Sequence, residues 1–177
     1  MKKRLGIGAL LLGMVTLSPL AGAQPYGFGG PLMRVGSIAE DTGVFLGGRG
    51  GVRFDSGFYL GGEGAGTVNR FAGDYRLGYG GLFMGVWMPA GAVTDWAVEL
   101  GVGGGGVKRP GSGRDGVLLL RPALRLGFQA ASWLTATAGV GWRAVLLSDT
   151  PGLGDSDLSG WELSLGLSFG PRRAPVL

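Results

Sequence analysis

The sequence predicts an all-β protein: an eight-stranded antiparallel up-and-down transmembrane β-barrel that follows a cleaved signal peptide. Three observations predict it. Apolar and polar side chains alternate with period two in eight segments after residue 30. Each segment places a charged residue on its polar face. The chain has no cysteine, so disulfides cannot hold an exported protein of this size together.

The export signal comes first. Lys2-Lys3-Arg4 is a basic start, Leu5 to Leu17 is apolar, and Ala21-Gly22-Ala23 is a small-residue cleavage site. That is the layout of a secretory signal peptide, residues 1–23. Residues 24–30 then form a lead-in, 31–169 the barrel and 170–177 a tail. Losing Lys2, Lys3 and Arg4 takes 16 basic residues to 13 against 12 acidic ones, a net charge of +1. The high isoelectric point of the whole chain is therefore no sign of nucleic-acid binding. Lys108 is the only lysine left, and the other cations are arginines. Arginine suits dry, paired positions because its fork donates five directed hydrogen bonds. Glycine supplies 40 of 177 residues, yet no Gly-X-Y register holds, which excludes collagen.

The strands follow in order. Residues 31–38 set Met33 and Val35 against Arg34. Residues 44–54 set Val44, Leu46, Val52 and Phe54 against Arg49 and Arg53. Residues 57–69 set Phe58, Leu60 and Val68 against Tyr59, Glu63 and Thr67. Residues 75–88 are less clean: Tyr75, Leu77, Tyr79, Phe83 and Trp87 share one face, while Leu82, Met84 and Val86 share the other with Arg76. Residues 95–107 set Trp96, Val98, Leu100 and Val102 against Glu99. Residues 117–128 set Leu118, Leu120, Leu124, Leu126 and Phe128 against Arg121 and Arg125, with Pro122 predicting a bulge. Residues 133–146 set Leu134, Val140, Trp142 and Leu146 against Arg143. Residues 161–169 alternate most cleanly: Trp161, Leu163, Leu165, Leu167 and Phe169 against Glu162, Ser164, Gly166 and Ser168.

The charges of the polar faces are expected to meet in one lumen network: Arg34, Arg49, Glu63, Arg76, Glu99, Arg121, Arg125, Arg143 and Glu162. Connections alternate in length, and the two longest, 108–116 and 147–158, fall at one end. Outer-membrane barrels use this pattern of long loops and short turns. Large aromatics bracket the short turns: Phe54 and Phe58, Trp87 and Trp96, Phe128 and Trp133, with Phe169 closing the last strand. Aromatic rings favour a membrane–water boundary, where one part is buried and another wet. These seven are expected to form a girdle at the short-turn rim.

Eight strands with one apolar face need a second layer, and no amphipathic helix follows residue 24. Either the apolar faces turn inward, giving a soluble barrel, or they turn outward into lipid. The polar faces are glycine, serine, threonine and alanine with sparse arginine or glutamate. Small residues suit the confined interior of an eight-stranded barrel. A helical span over 77–94 is disfavoured by Gly78, Gly80, Gly81, Gly85 and Pro89.

With this signal peptide, alternation, aromatic rim and charged lumen, the chain resembles small eight-stranded outer-membrane β-barrels, the class of the OmpA transmembrane domain and OmpX. The resemblance covers roughly 31–169 and is architectural. It implies outer-membrane localisation in a diderm bacterium; barrels of this class that are enzymes usually imply a histidine base, which this sequence lacks, so a role without catalysis is expected. Many such barrels end on a terminal phenylalanine; here Phe169 is followed by eight more residues.

Catalytic, cofactor and metal signals are weak. Gly101–Gly106 matches G-x-G-x-x-G, but no helix pattern follows it. Without histidine, a Ser-His-acid triad is impossible, and zinc lacks its usual ligands. No cofactor is expected. The expected partners are outer-membrane lipid and a surface ligand at loops 108–116 and 147–158, with the protein a monomer. The alternatives are a soluble exported barrel holding an apolar ligand and a narrow outer-membrane pore.

Overall fold

The structure, a computed structural model, describes residues 25–72, 74–108, 114–148 and 153–171. The expected signal peptide and most of the tail lie outside the described residues. Eight antiparallel strands run in sequence order and close on themselves: β1 (Tyr26–Ile38), β2 (Asp41–Arg53), β3 (Phe58–Thr67), β4 (Arg76–Pro89), β5 (Thr94–Lys108), β6 (Arg114–Ala131), β7 (Leu134–Ser148) and β8 (Gly160–Phe169). Closure comes from β1 against β8, where Met33 pairs with Leu165 and Val35 with Leu163. It removes every sheet edge, so each strand's backbone groups find partners within the barrel.

One correction concerns the start. The expected lead-in 24–30 is not separate, because β1 begins at Tyr26 and pairs Gly29 with Gly50. Its glycines carry no side chains to reveal alternation, which hid the strand. Another concerns Pro122. Register is kept past it: Leu120 faces Ala144 and Ala123 faces Gly141. The bulges lie instead between Leu118 and Leu119 and between Gln129 and Ala131. Proline lacks an N–H to donate, and the β6–β7 ladder simply skips Arg121 and Pro122.

The two rims differ. At one, the turns are short. Gly57 takes φ +83°, its N–H donates to the Phe54 carbonyl, and its own carbonyl accepts from Trp87. Trp133 stacks on Phe169 with ring centroids 6.0 Å apart. At the other rim, Ala39 and Glu40 join β1 to β2 with φ of 48° and 64°, the left-handed pair of a tight hairpin. The Ala39 N–H donates to the Asp157 carbonyl. The last loop holds a short helix, α1 (Asp155–Leu158). Leu158 and, from the β3–β4 loop, Phe71 are buried with Ile38, Phe45, Leu77, Val107 and Val145. This apolar stopper fills the barrel just inside the long-loop rim.

Polarity across the wall is inside-out. Leu163, Leu165 and Leu167 are 52%, 55% and 43% exposed, while Glu162 between them and the turn is 2% exposed. The same holds around most of the circumference, with Leu82, Val102, Leu126 and Val140 outward and Arg34, Glu99, Arg125 and Arg143 buried. No helix among the described residues is long and apolar enough to cross a membrane.

Candidate functional site

The interior charges form two layers. They are set by strand parity, since every second residue points inward. In the layer nearer the long loops, Arg34 of β1 donates to Glu63 of β3 at 2.7 Å. Arg121 of β6 pairs with the other oxygen of the same carboxylate. Arg34 also lies 3.8 Å from Glu162 of β8, whose other oxygen accepts from Arg143 of β7 at 2.5 Å. The Tyr79 hydroxyl joins both Arg34 and Arg121. Arg143 further donates to the carbonyls of Leu158 at 2.8 Å and Ser37 at 2.7 Å. It thereby ties α1 and the first hairpin to the charged layer.

Nearer the short turns, Glu99 of β5 is the hub. It accepts from Arg49 of β2 at 2.5 Å, from Arg125 of β6 at 3.1 Å and from the Tyr59 hydroxyl at 3.1 Å. The Arg49 guanidinium lies 3.9 Å from the centre of the Phe83 ring, and Phe28 sits against Arg53. Cation–π contact of this kind is favoured where water is scarce. A cavity of about 30 Å³ borders Arg49, Arg53, Tyr59, Asp95 and Arg125, large enough for one or two waters. A second, of about 10 Å³, lies by Glu63, Tyr79 and Arg121.

Two of the expected positions need correction. Arg76 is not in the lumen: it is exposed on the outer wall, and its neighbour Leu77 is 1% exposed. Trp87 is not part of an outer girdle: it is 3% exposed and packs inside with Tyr59 and Phe83. The cause is the same for both. β4 is apolar on both faces, so alternation does not say which face is inside. The register across the β4–β5 turn does say. Pro89 pairs with Asp95, which puts Gly85 opposite the inward Glu99. A connection counted as 89–94 displaces that register by one residue, and a one-residue slip reverses every side chain.

Of the remaining aromatics, Phe128, Trp133 and Phe169 are 54%, 56% and 44% exposed at the short-turn rim. Phe54, Phe58 and Trp96 are half-buried there. Toward the other rim, Trp142 and Trp161 are register partners, both exposed. Sequence reasoning missed Tyr79 and Asp95 as interior polar groups. Asp95 shares the parity of Glu99 on β5 and was readable from that strand, whereas the facing of Tyr79 became available only with the β4–β5 register in hand.

The arrangement builds a rigid, ion-paired interior. Among the described residues, no group of three or more histidine, cysteine, aspartate or glutamate side chains is placed to hold a metal ion. The sequence matches no protein-family model. It matches no curated protein either. Solved structures do match it in shape. Neisserial surface protein A (NspA) is 14% identical, with a TM-score of 0.64 over 84% of this chain and 98% of its own. The N-terminal β-barrel domain of Pseudomonas aeruginosa OprF is 13% identical, with a TM-score of 0.62 over 83% and 99%. Ail, the attachment invasion locus protein of Yersinia pestis, solved with the heparin analogue sucrose octasulfate, is 12% identical, with a TM-score of 0.55 over 84% and 98%. At these identities the likeness is one of fold: the chain shares the closed, eight-stranded, up-and-down barrel of these three proteins.

Proposed function

We propose that this protein is a non-enzymatic β-barrel of the outer membrane of a diderm bacterium, a monomer with a structural or surface-binding role at its long-loop end. The observation that carries this reading is the inside-out wall, with leucine, valine and aromatic rings outward and paired arginine and glutamate within. An apolar face of this extent on a closed sheet is stable only when something apolar covers it. Lipid covers all of it at once. The segments expected to meet a surface ligand, 108–116 and 147–158, connect strand ends at the long-loop rim, with 109–113 and 149–152 outside the described residues. The lack of histidine and cysteine in the sequence removes the usual nucleophile–base pairs. A soluble barrel with an apolar ligand inside would need the opposite polarity.

Fractionation and a heat-modifiable gel shift test the reading. The protein is expected in the outer-membrane fraction, and its folded form in detergent should migrate differently before and after boiling. Recovery as a soluble periplasmic protein would end the proposal. Leu120→Arg probes the lipid face directly, because Leu120 lies on the outer face near the middle of β6. It is expected to cost about 2–4 kcal/mol in urea unfolding from lipid vesicles; no measurable cost would remove lipid from that face.

The pore alternative is disfavoured by the apolar stopper around Leu158 and Phe71 and by the two salt-bridged layers beneath it. Planar-bilayer recordings are expected to show no steady conductance; a reproducible open level would restore the channel reading.

A further inference from the structure

Arg76, displaced from the lumen, stands in a row. At the long-loop rim, Arg76 of β4 pairs in register with Lys108 of β5, and the backbone of Lys108 with that of Arg114 of β6. Two neighbouring strands thus bring Arg76 and Lys108 side by side. Arg76 and Lys108 are both exposed, while the residues beside them in sequence, Leu77 and Val107, are buried. The two cations therefore point away from the barrel axis. No described carboxylate lies within ion-pair distance of either. Asp74, the nearest acidic residue in sequence to Arg76, is paired with Arg70 at 2.5 Å. Asp115 has the inward parity of Val117 and Leu119.

Height matters as much as direction. From Trp96 at the short-turn rim to Gly106, the outward positions of β5 carry no charge. Ten residues rise about 34 Å along a strand, or about 26 Å along the barrel axis at a tilt of about 40°. That is the thickness of the apolar band of an outer-membrane barrel. Lys108 and its register partner Arg76 come immediately above it, at the level of lipid headgroups on the loop side. Below the row the wall is smooth: Gly78 pairs with Gly106, and Gly106 with Gly116. A Cβ added at Gly78 would come no nearer than 4.0 Å to another atom, and one at Gly116 would meet nothing within 4 Å. The backbone does not demand glycine at Gly78 or Gly116, while Gly106 between them is buried.

We propose that the outer wall at the long-loop rim of β4 and β5 is a docking surface for a phosphate-bearing lipid, with Arg76 and Lys108 holding the phosphate. Charge complementarity selects this occupant. Arg76 and Lys108 have no ion-pair partner among the described residues, they face away from the lumen, and the anionic groups at that height are lipid phosphates. The inference rests on the membrane reading above.

The test is native mass spectrometry of the whole protein in micelles that contain either lipid A or its dephosphorylated form. The wild type should retain the phosphorylated lipid about 30-fold better, as expected for two cations near an anionic surface. Arg76→Ser with Lys108→Ser should abolish that preference while leaving the heat-modifiable gel shift intact, and Arg70→Ser should leave both unchanged. In the wild type, molar salt should erase the preference, a readout that needs no variant. Equal retention of the two lipids by wild type, or an undiminished preference in the double variant, would overturn the proposal. So would displacement by millimolar inorganic phosphate, which would make the ligand a free anion. Loss of the gel shift in the wild type would instead count against the barrel's membrane placement, so the two failures are distinguishable.

Discussion

Glu99→Ala is expected to destabilise the barrel by about 3–5 kcal/mol, the cost of removing one partner from a buried ion pair. The Glu99 side chain is wholly buried and is the acceptor for Arg49, Arg125 and Tyr59 together. Without it, Arg49 and Arg125 lose their shared carboxylate, and Asp95 is the remaining acidic side chain in that layer among the described residues. Each would keep its desolvation cost and lose its attraction. Glu99→Gln retains an acceptor of the same shape without the charge, so it should fall between wild type and alanine. Urea unfolding from lipid vesicles measures both. A loss under about 1 kcal/mol, the range of solvent-exposed pairs, would mean that water penetrates this layer.

Gly81→Ala should cost about 3 kcal/mol or more, whereas Gly80→Ala, one residue away, should change stability by less than about 0.5 kcal/mol. The two glycines face opposite sides of β4. A methyl at Gly81 would point inward, overlap the Val102 carbonyl oxygen and lie 2.6 Å from the Gly103 Cα. Both are backbone atoms of the adjacent strand, so neither can rotate away. At Gly80 the methyl would point outward, and the nearest atom, the Glu63 carbonyl oxygen, is 3.5 Å off. The same unfolding experiment separates the two. Equal effects would show that glycine density serves something other than close packing on the inner wall.

How much was legible depended on the strand. In β8 every odd residue is large and apolar and every even residue small or charged, so position and facing were both readable from Trp161 to Phe169. β7 and β5 were nearly as plain, because Arg143 and Glu99 mark the inner face. β1 was only half legible: its first turn of strand is Tyr26-Gly-Phe-Gly-Gly30, and glycine has no side chain to alternate. β4 was legible as a strand and illegible as to facing, since Tyr79, Phe83 and Trp87 on one side compete with Leu82, Met84 and Val86 on the other. That ambiguity moved Arg76 to the wrong side of the wall and Trp87 with it. Of the expected interior charges, the other eight lie among the inward positions, because an isolated arginine or glutamate between small residues has few other places in a closed sheet to go.

Local chemistry determined the class of this protein. Period-two alternation, tight turns and the shortage of helix-forming segments are properties of short stretches, and they require a closed sheet with one apolar and one polar side. The tertiary structure alone decided who meets whom. Glu63 serves Arg34 and Arg121, Glu99 serves Arg49 and Arg125, and Arg76 stands beside Lys108. Each of these pairings depends on inter-strand register, and register depends on single residues in turns. A strand's own pattern repeats every two residues and reads the same after a shift of two, so only the closed barrel selects one alignment.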